Sequence, residues 1–532
     1  MKTNHLLITL VLFVTLLLVG CGSNDASIPV VPEGAQAEDL IDLKPCTYEA
    51  GDIEYSADCG TLVVPENRSD PDSRLIALPL IRVRALSDSP AEPIFFLQGG
   101  PGGTNLKFQY LEGLVDHHDF IQVGYRGVDG SVLLDCPEIA VAVRNAPDGV
   151  LGDAALDSYA EASARCAARL ETEGVDLVGY TMTEVIDDVE AARSALGYDR
   201  INLLGESYGT RVEMIYEWMY PESLNRVVMV AVNPPGHFLW EPEDVDAQLG
   251  DYAELCARGP ECSARTDDLL ASLRRVSENM PERWLFFPVD AGGVKMVTFF
   301  MLMETIQPPD APVPLSGPAA IDMWLAAEEG DASGMALVSM TYNRFLPNLF
   351  VYGDLFSKGG SGADFAGRAD DSRTELDPPG SILGSPVSLY HWGMMRGWPV
   401  HLIPEQYLSL QPTEVETLLI SGSIDFSTPP QFATEELLPY LNNGKQVILR
   451  DFGHTETFWN RQPEARVYLL NTYFSTGEAD ASLYTYQPVN FDVGLGWPGL
   501  AKVLLSTMLV VIILLVTLVW FVVRRVRRRR TV

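Results

Sequence analysis

Gly205-Glu206-Ser207-Tyr208-Gly209 is a Gly-x-Ser-x-Gly sequence, and a serine held between two such glycines can act as a nucleophile. A hydroxyl alone attacks poorly, so the chemistry needs a base and a group that orients the base. The chain has 7 His. His5 lies in an apolar N-terminal stretch, His117 and His118 precede the serine, and His237, His391 and His401 fall in a region of different character. His454, in Asp451-Phe452-Gly453-His454, alone follows the last strand expected in the core, so it is the candidate base. The loop Gly422-Ser423-Ile424-Asp425 follows the preceding strand, and Asp425 there would fix the imidazole tautomer. Asp451 is the one rival, too close in sequence to His454 to reach beneath its ring. A tetrahedral intermediate also needs N–H donors. Gln98-Gly99-Gly100-Pro101-Gly102-Gly103 provides bare backbone, so Gly100, or else Gly99, is expected to form an oxyanion hole with the N–H of Tyr208. Pro101 and the missing Gly-Lys-Ser/Thr ending argue against a phosphate loop. No Cys-x-x-Cys pair or Cys/His cluster has metal-ligand spacing, and this chemistry calls for no cofactor or metal.

These residues need particular elements around them. Ile201-Asn202-Leu203-Leu204 reads as a buried strand before Ser207, and Thr210 to Tyr220 as a helix after it. Such a turn aims the hydroxyl into a cleft, and the helix N-terminus favours developing negative charge. Upstream, Arg74 to Ala85, Pro93 to Leu97 and Phe120 to Val123 read as strands, and Thr183 to Leu196 as a helix with Val185, Val189, Ala192 and Leu196 on one face. Arg226 to Val232 is a further strand. From Val415 the pattern resumes with strands Thr417–Ser421 and Gln446–Arg450 and helices Gln431–Leu441 and Pro463–Phe474. Strands alternating with helices imply a mostly parallel sheet. Between them, proline, glycine, methionine and tryptophan become frequent and helical stretches such as Pro318 to Ala332 remain. The expected division is a core over 45–234, a helical cap over 235–410 inserted before the strand that carries the acid, and a second core part over 411–475.

The two ends are of another kind. Residues 1–20 open with Lys2 and an apolar run suited to a secretory signal, ending in Leu18-Val19-Gly20-Cys21, which resembles the lipobox of bacterial lipoproteins. Cys21 is therefore a candidate lipid attachment site, followed by a linker over 21–44. A second linker, 476–502, leads to 503–523, an uncharged stretch that as a helix of ~1.5 Å rise per residue measures ~31 Å, enough to span a bilayer. Arg524, Arg525 and Arg527 to Arg530 follow in the tail 524–532, which places the tail in the cytoplasm and the body outside. The net charge of −35 over 532 residues argues against a nucleic-acid partner. Of 7 Cys, Cys21 aside, an even set remains, as expected for an exported protein. Proximity favours Cys46–Cys59, Cys136–Cys166 and Cys256–Cys262 among the pairings that sequence allows.

Several of these segments, in order, resemble the proline iminopeptidase and tripeptidyl aminopeptidase family of α/β-hydrolases, from about Gly60 to Phe474. The carriers are Gln98-Gly99-Gly100-Pro101-Gly102; Tyr125-Arg126-Gly127-Val128-Asp129-Gly130-Ser131; Asp135-Cys136-Pro137; the Ser207 motif with Thr210; Ile420 to Asp425 with Thr428-Pro429-Pro430; and Gly453-His454. The resemblance implies a secreted exopeptidase with an α/β-hydrolase fold and a helical cap, acting on a peptide with a free N-terminus. Gln98 stands where the family has His, Gly124-Tyr125 where it has Asp-Gln, and Asn233 where tripeptidyl relatives often carry an acid. The family holds the substrate ammonium with carboxylates, for which Glu241, Glu243, Asp244, Glu328 and Glu329 of the cap are candidates. A carboxylesterase or lipase acting on a small ester uses the same machinery, with Trp240, Trp324, Trp392 and Trp398 as a possible apolar lining. The remaining alternative is a surface binding module that has kept the fold without catalysis.

Overall fold

The computed structural model describes residues 28–309, 311–365, 368 and 372–530. The signal segment and Cys21 lie outside the described residues.

A nine-stranded sheet forms the centre. Its strands are β1 (Leu40–Ala50), β2 (Ile53–Pro65), β3 (Leu75–Val83), β4 (Ala91–Leu97), β5 (His118–Val123), β6 (Ile201–Glu206), β7 (Leu224–Val230), β10 (Glu416–Gly422) and β11 (Gly444–Leu449). Two short strands, β8 (Arg283–Trp284) and β9 (Phe287–Pro288), form a separate hairpin in the inserted region. The order across the sheet is β1-β2-β3-β5-β4-β6-β7-β10-β11. The pairs from β1 to β5 are antiparallel, and those from β5 through β4 to β11 are parallel. The inner parallel strands are apolar on both faces because helices cover both, whereas the edge strand β11 is largely exposed. Leu203, Val227 and Leu419 pack with helices Met182–Leu196 and Tyr208–Met219. Their neighbours Leu204, Val228 and Leu418 pack on the other face, with Phe458 and Leu469 from the C-terminal part.

Three features differ from the sequence expectation. First, β1 and β2 add an edge hairpin, and its first strand begins inside the stretch 21–44 expected to be a linker. Lys44, Pro45 and Glu49 interrupt its apolar pattern, as suits an edge strand facing water. Second, Pro137–Arg144 and Asp153–Thr172, expected in the body, share one apolar core with the inserted helices. Tyr159 packs edge-on against Tyr390, and Cys136–Cys166 joins the two helices. Third, 476–502 is not a free tether. Val489, Phe491 and Trp497 are buried against the inserted helices, Trp497 Nε1 donates to Pro314 O at 2.9 Å, and Lys502 pairs with Asp331 at 2.5 Å. The last helix accordingly runs Trp497–Arg530, longer than the 503–523 stretch.

The inserted region is helical, with helices from Pro242–Arg258 to Pro386–Met395 lying over the carboxyl ends of the parallel strands. The helix expected over 431–441 divides into a wide turn, Phe432–Leu437, and a tight one, Leu438–Tyr440. Cys46–Cys59 links β1 to β2, and Cys256–Cys262 closes a loop within the cap.

Candidate active site

Ser207 occupies the turn between β6 and the helix Tyr208–Met219, at φ 53°. A side chain there is strained, and the turn is held by Ser207 N donating to Val230 O at 2.9 Å. The flanking glycines have a steric reason. A Cβ on Gly209 would lie 2.1 Å from Leu97 O, and one on Gly205 would lie 2.5 Å from Glu213 Oε2. The helix therefore starts directly against the end of β4.

The structure brings Ser207, His454 and Asp425 together from three separate loops. His454 Nε2 lies 3.0 Å from Ser207 Oγ, and His454 Nδ1 lies 2.9 Å from both carboxylate oxygens of Asp425. Asp425 is fully buried, and its charge is spread over further donors. Oδ1 accepts from Ser427 N at 2.9 Å and Thr428 N at 2.8 Å, and Oδ2 accepts from Thr428 Oγ1 at 2.7 Å. Burial pulls the His454 pKa down, but the charge and hydrogen bond of Asp425, with Glu304 and Glu206 beyond, outweigh it and hold the imidazole above its ordinary value. Asp451 faces elsewhere. Its carboxylate takes Arg258 at 3.3 Å and Tyr486 Oη at 2.9 Å.

The glycine-rich loop lies against the nucleophile, because a Cβ on Gly99 would stand 3.0 Å from Ser207 Cβ. Gly99, Gly100 and Gly103 line the cleft at Ser207, and Tyr208 is the first residue of the helix, so its N–H is free of intrahelical partners. The cap braces this loop from outside. Gly102 N donates to Asp354 Oδ2 at 3.1 Å, and Val351 N donates to Gly102 O at 2.9 Å. Asp354 is buried and paired with Lys358 at 2.6 Å. Burial pushes its carboxyl up to about 6, against the pull of that lysine.

Glu304 was invisible in the sequence as a site residue. It lies just past the cap helix Ala291–Leu302 and is buried beside His454. Oε1 accepts from Glu456 N at 3.0 Å, and Oε2 accepts from Thr457 N at 2.8 Å and Thr457 Oγ1 at 2.7 Å. It thus caps the helix Thr455–Asn460 that begins right after the imidazole. Next to it, His454 N donates to Met303 O at 2.7 Å. Burial raises the Glu304 carboxyl to about 7, opposed by His454 and these donors.

A cleft of about 760 Å³ opens at Ser207, and Glu49, Glu206 and Glu456 contribute carboxylates to its lining. Glu206 accepts from Gln98 Nε2 and Trp459 Nε1, and Glu456 Oε2 accepts from Asn460 Nδ2 at 2.8 Å. The five cap carboxylates singled out in the sequence do not line it. Glu241, Glu328 and Glu329 pair with Arg368, Arg275 and Arg265, and Glu243 and Asp244 lie on the helix Pro242–Arg258 away from the cleft. Of the four tryptophans, Trp240 lines the cleft, with its Nε1 donating to Ser427 O at 2.9 Å. Trp324, Trp392 and Trp398 are buried in the cap core instead. Behind Ser207 a narrow recess of about 40 Å³ is walled by Phe238, Trp240, Phe300, Phe350, Leu355 and Val387. Asn233 borders it and is locked by Arg211 Nη2 at 2.7 Å.

Residues 92–255 match the family model described as alpha/beta hydrolase fold, and residues 389–485 match that described as TAP-like protein. Among curated proteins, the chain is 27% identical to a tripeptidyl aminopeptidase of Streptomyces lividans over 224 residues, 39% of this chain and 41% of that one. It is 28% identical to the serine protease Hip1 of Mycobacterium tuberculosis over 286 residues, 48% of this chain and 52% of that one. The match thus spans about half or less of the length of these relatives. A proline iminopeptidase-related protein from Thermus thermophilus shares 16% identity with a TM-score of 0.33, covering 81% of this chain and 97% of that one.

Proposed function

This chain being a serine hydrolase with the α/β-hydrolase fold, we propose that it is an extracytoplasmic aminopeptidase that releases N-terminal residues or short peptides through an acyl-enzyme at Ser207. The reading is carried by one observation: the serine that His454 contacts at 3.0 Å opens on a cleft lined by carboxylates. Ser207 Oγ attacks the scissile carbonyl while His454 Nε2 takes its proton. Asp425 holds Nδ1–H and stabilises the imidazolium. The N–H groups of Tyr208 and of Gly100 or Gly99 receive the oxyanion. His454 then protonates the leaving amine, and water, activated by the same imidazole, releases the acyl group. Glu206 and Glu456 take the place of the cap carboxylates as the anchor for the substrate ammonium, since a charged amine entering a cleft needs a charged acceptor. The recess behind Ser207 is narrow, with His391, Asn233 and Ser427 on its wall beside the apolar side chains, so the residue donating the carbonyl is small.

The extracytoplasmic location rests on the three disulfides and on the basic residues that follow the long apolar helix, which by length and composition can cross a membrane. The same recess favours a short-chain carboxylesterase as the second reading. Fluorophosphonate labelling with Ser207→Ala as control tests the nucleophile. Turnover of alanyl and tripeptidyl anilides, with free and blocked amines, is then compared with that of acetyl and butyryl esters. Cleavage that needs the free amine supports the aminopeptidase. Equal cleavage of blocked peptides removes it, and ester turnover without peptide cleavage makes the protein an esterase.

A further inference from the structure

The cap hairpin β8–β9 exposes side chains that a water-facing turn would not choose. Its two-residue loop is Leu285-Phe286, and the two residues are 59% and 73% exposed. Leu285 sits at φ 55°, the first loop position of a hairpin turn, which favours glycine. A leucine there accepts backbone strain in order to present an apolar side chain. Trp284 and Phe287 stand beside it, with ring centroids 4.3 Å apart for Phe286 and Phe287 and 6.0 Å apart for Trp284 and Phe287. The result is a continuous aromatic tip on the cap.

The place of the tip in the fold says what covers it. The hairpin packs on the helix Ser333–Phe345, and Asp290, two residues past its end, is tied there: Asp290 N donates to Ser339 Oγ at 2.9 Å, and Tyr342 Oη donates to Asp290 Oδ2 at 2.5 Å. The same helix packs along the first turns of Trp497–Arg530, with Ser333 Oγ donating to Pro498 O at 3.3 Å. That long helix is uncharged and largely exposed over 503–523. Met340 and Phe345, on the helix that joins the two, are exposed as well.

We propose that the tip Trp284-Leu285-Phe286-Phe287 inserts into the interfacial layer of the bilayer, as a second contact that fixes the tilt of the cap beside the membrane-spanning helix. Tryptophan and phenylalanine suit the headgroup boundary, where ring and polar surroundings coexist. Glu282 and Arg283 at the base of the tip balance in charge, so the contact is apolar and does not require anionic lipid. The inference rests on the reading of Trp497–Arg530 as a membrane span.

The test uses the full chain in phosphatidylcholine vesicles, carrying an environment-sensitive fluorophore on Phe286→Cys, on Val516→Cys in the long helix, or on Leu86→Cys, an exposed site on the hydrolase body. The unsubstituted chain, treated alike, sets the background. Emission at 286 and 516 shifts to the blue and is quenched by spin-labelled lipid, while emission at 86 is neither shifted nor quenched. Quenching at 516 with 286 behaving like 86 overturns the inference and leaves the membrane span standing. No quenching at either site removes the span and the inference together. A blue shift at 286 that persists in detergent without lipid quenching means a protein partner, such as a second copy, and also overturns it.

Discussion

Asp425→Asn isolates what the acid does for the base. Asp425 Oδ1 accepts two backbone N–H groups, from Ser427 and Thr428, at 2.9 and 2.8 Å. These donors fix the orientation of an asparagine, because its carbonyl oxygen must face them. The amide nitrogen then lies where Oδ2 was, against Thr428 Oγ1 and His454 Nδ1. Nδ1 lies 2.9 Å from both oxygens, so the new N–H donor competes with the carbonyl for it, and an Nδ1 that accepts from the amide carries the ring proton on Nε2 instead. Nε2–H cannot take a proton from Ser207 Oγ, although it still lies 3.0 Å away. The variant should fold as the parent does and bind substrate with little change in KM. Its kcat should fall by about 10⁴, equivalent to about 5.5 kcal/mol of lost transition-state stabilisation. The assay is steady-state hydrolysis of whichever anilide or ester the parent turns over, with urea unfolding run alongside. An Asp425→Asn variant that keeps more than a tenth of the parental kcat would refute the tautomer argument.

Other consequences follow from the same geometry. His454 is held above the ordinary imidazole value and must be neutral to act. The acidic limb of kcat/KM therefore lies above ~6.5, with activity lost as pH falls through it, and a limb below that value contradicts the assigned environment. Glu304→Ala orphans the N–H groups of Glu456 and Thr457, so urea titration should show a loss of about 2–5 kcal/mol together with a lower kcat. Glu304 also has a pH signature. Burial raises its carboxyl from 4.5 to about 7, so the folded state holds the proton more tightly than the unfolded chain. Its contribution to stability is therefore full below ~4.5 and declines by on the order of 3 kcal/mol as pH rises through about 7. Glu304→Gln should flatten that slope in urea midpoints measured across the window. Gly209→Ala puts a Cβ 2.1 Å from Leu97 O, so it should cost about 3 kcal/mol or more and abolish fluorophosphonate labelling, and unchanged labelling would contradict the packing of the turn.

Ser207, Asp425 and His454 were legible in the sequence because each follows a strand whose apolar run is visible locally, and the fold fixes their order along the chain. The inner parallel strands were legible for the same reason, being buried on both faces. The edge hairpin β1–β2 was not, since Lys44, Pro45 and Glu49 break the alternation that marks a strand. The carboxylates of the cleft could not be read off either. Glu206 fills the variable position of the motif and nothing local marks Glu456, while three of the five cap carboxylates that drew attention, Glu241, Glu328 and Glu329, are spent on arginines. Glu304 is 150 residues from the histidine it supports, at 454, and nothing in its neighbourhood of sequence marks it. Local pattern determines which residues stand at strand ends, because strand and turn propensities act over a few residues. Which carboxylate enters the cleft, which part of the cap clasps the base and which apolar tip stays uncovered depend on contacts between distant segments, and those exist only once the cap has docked on the sheet.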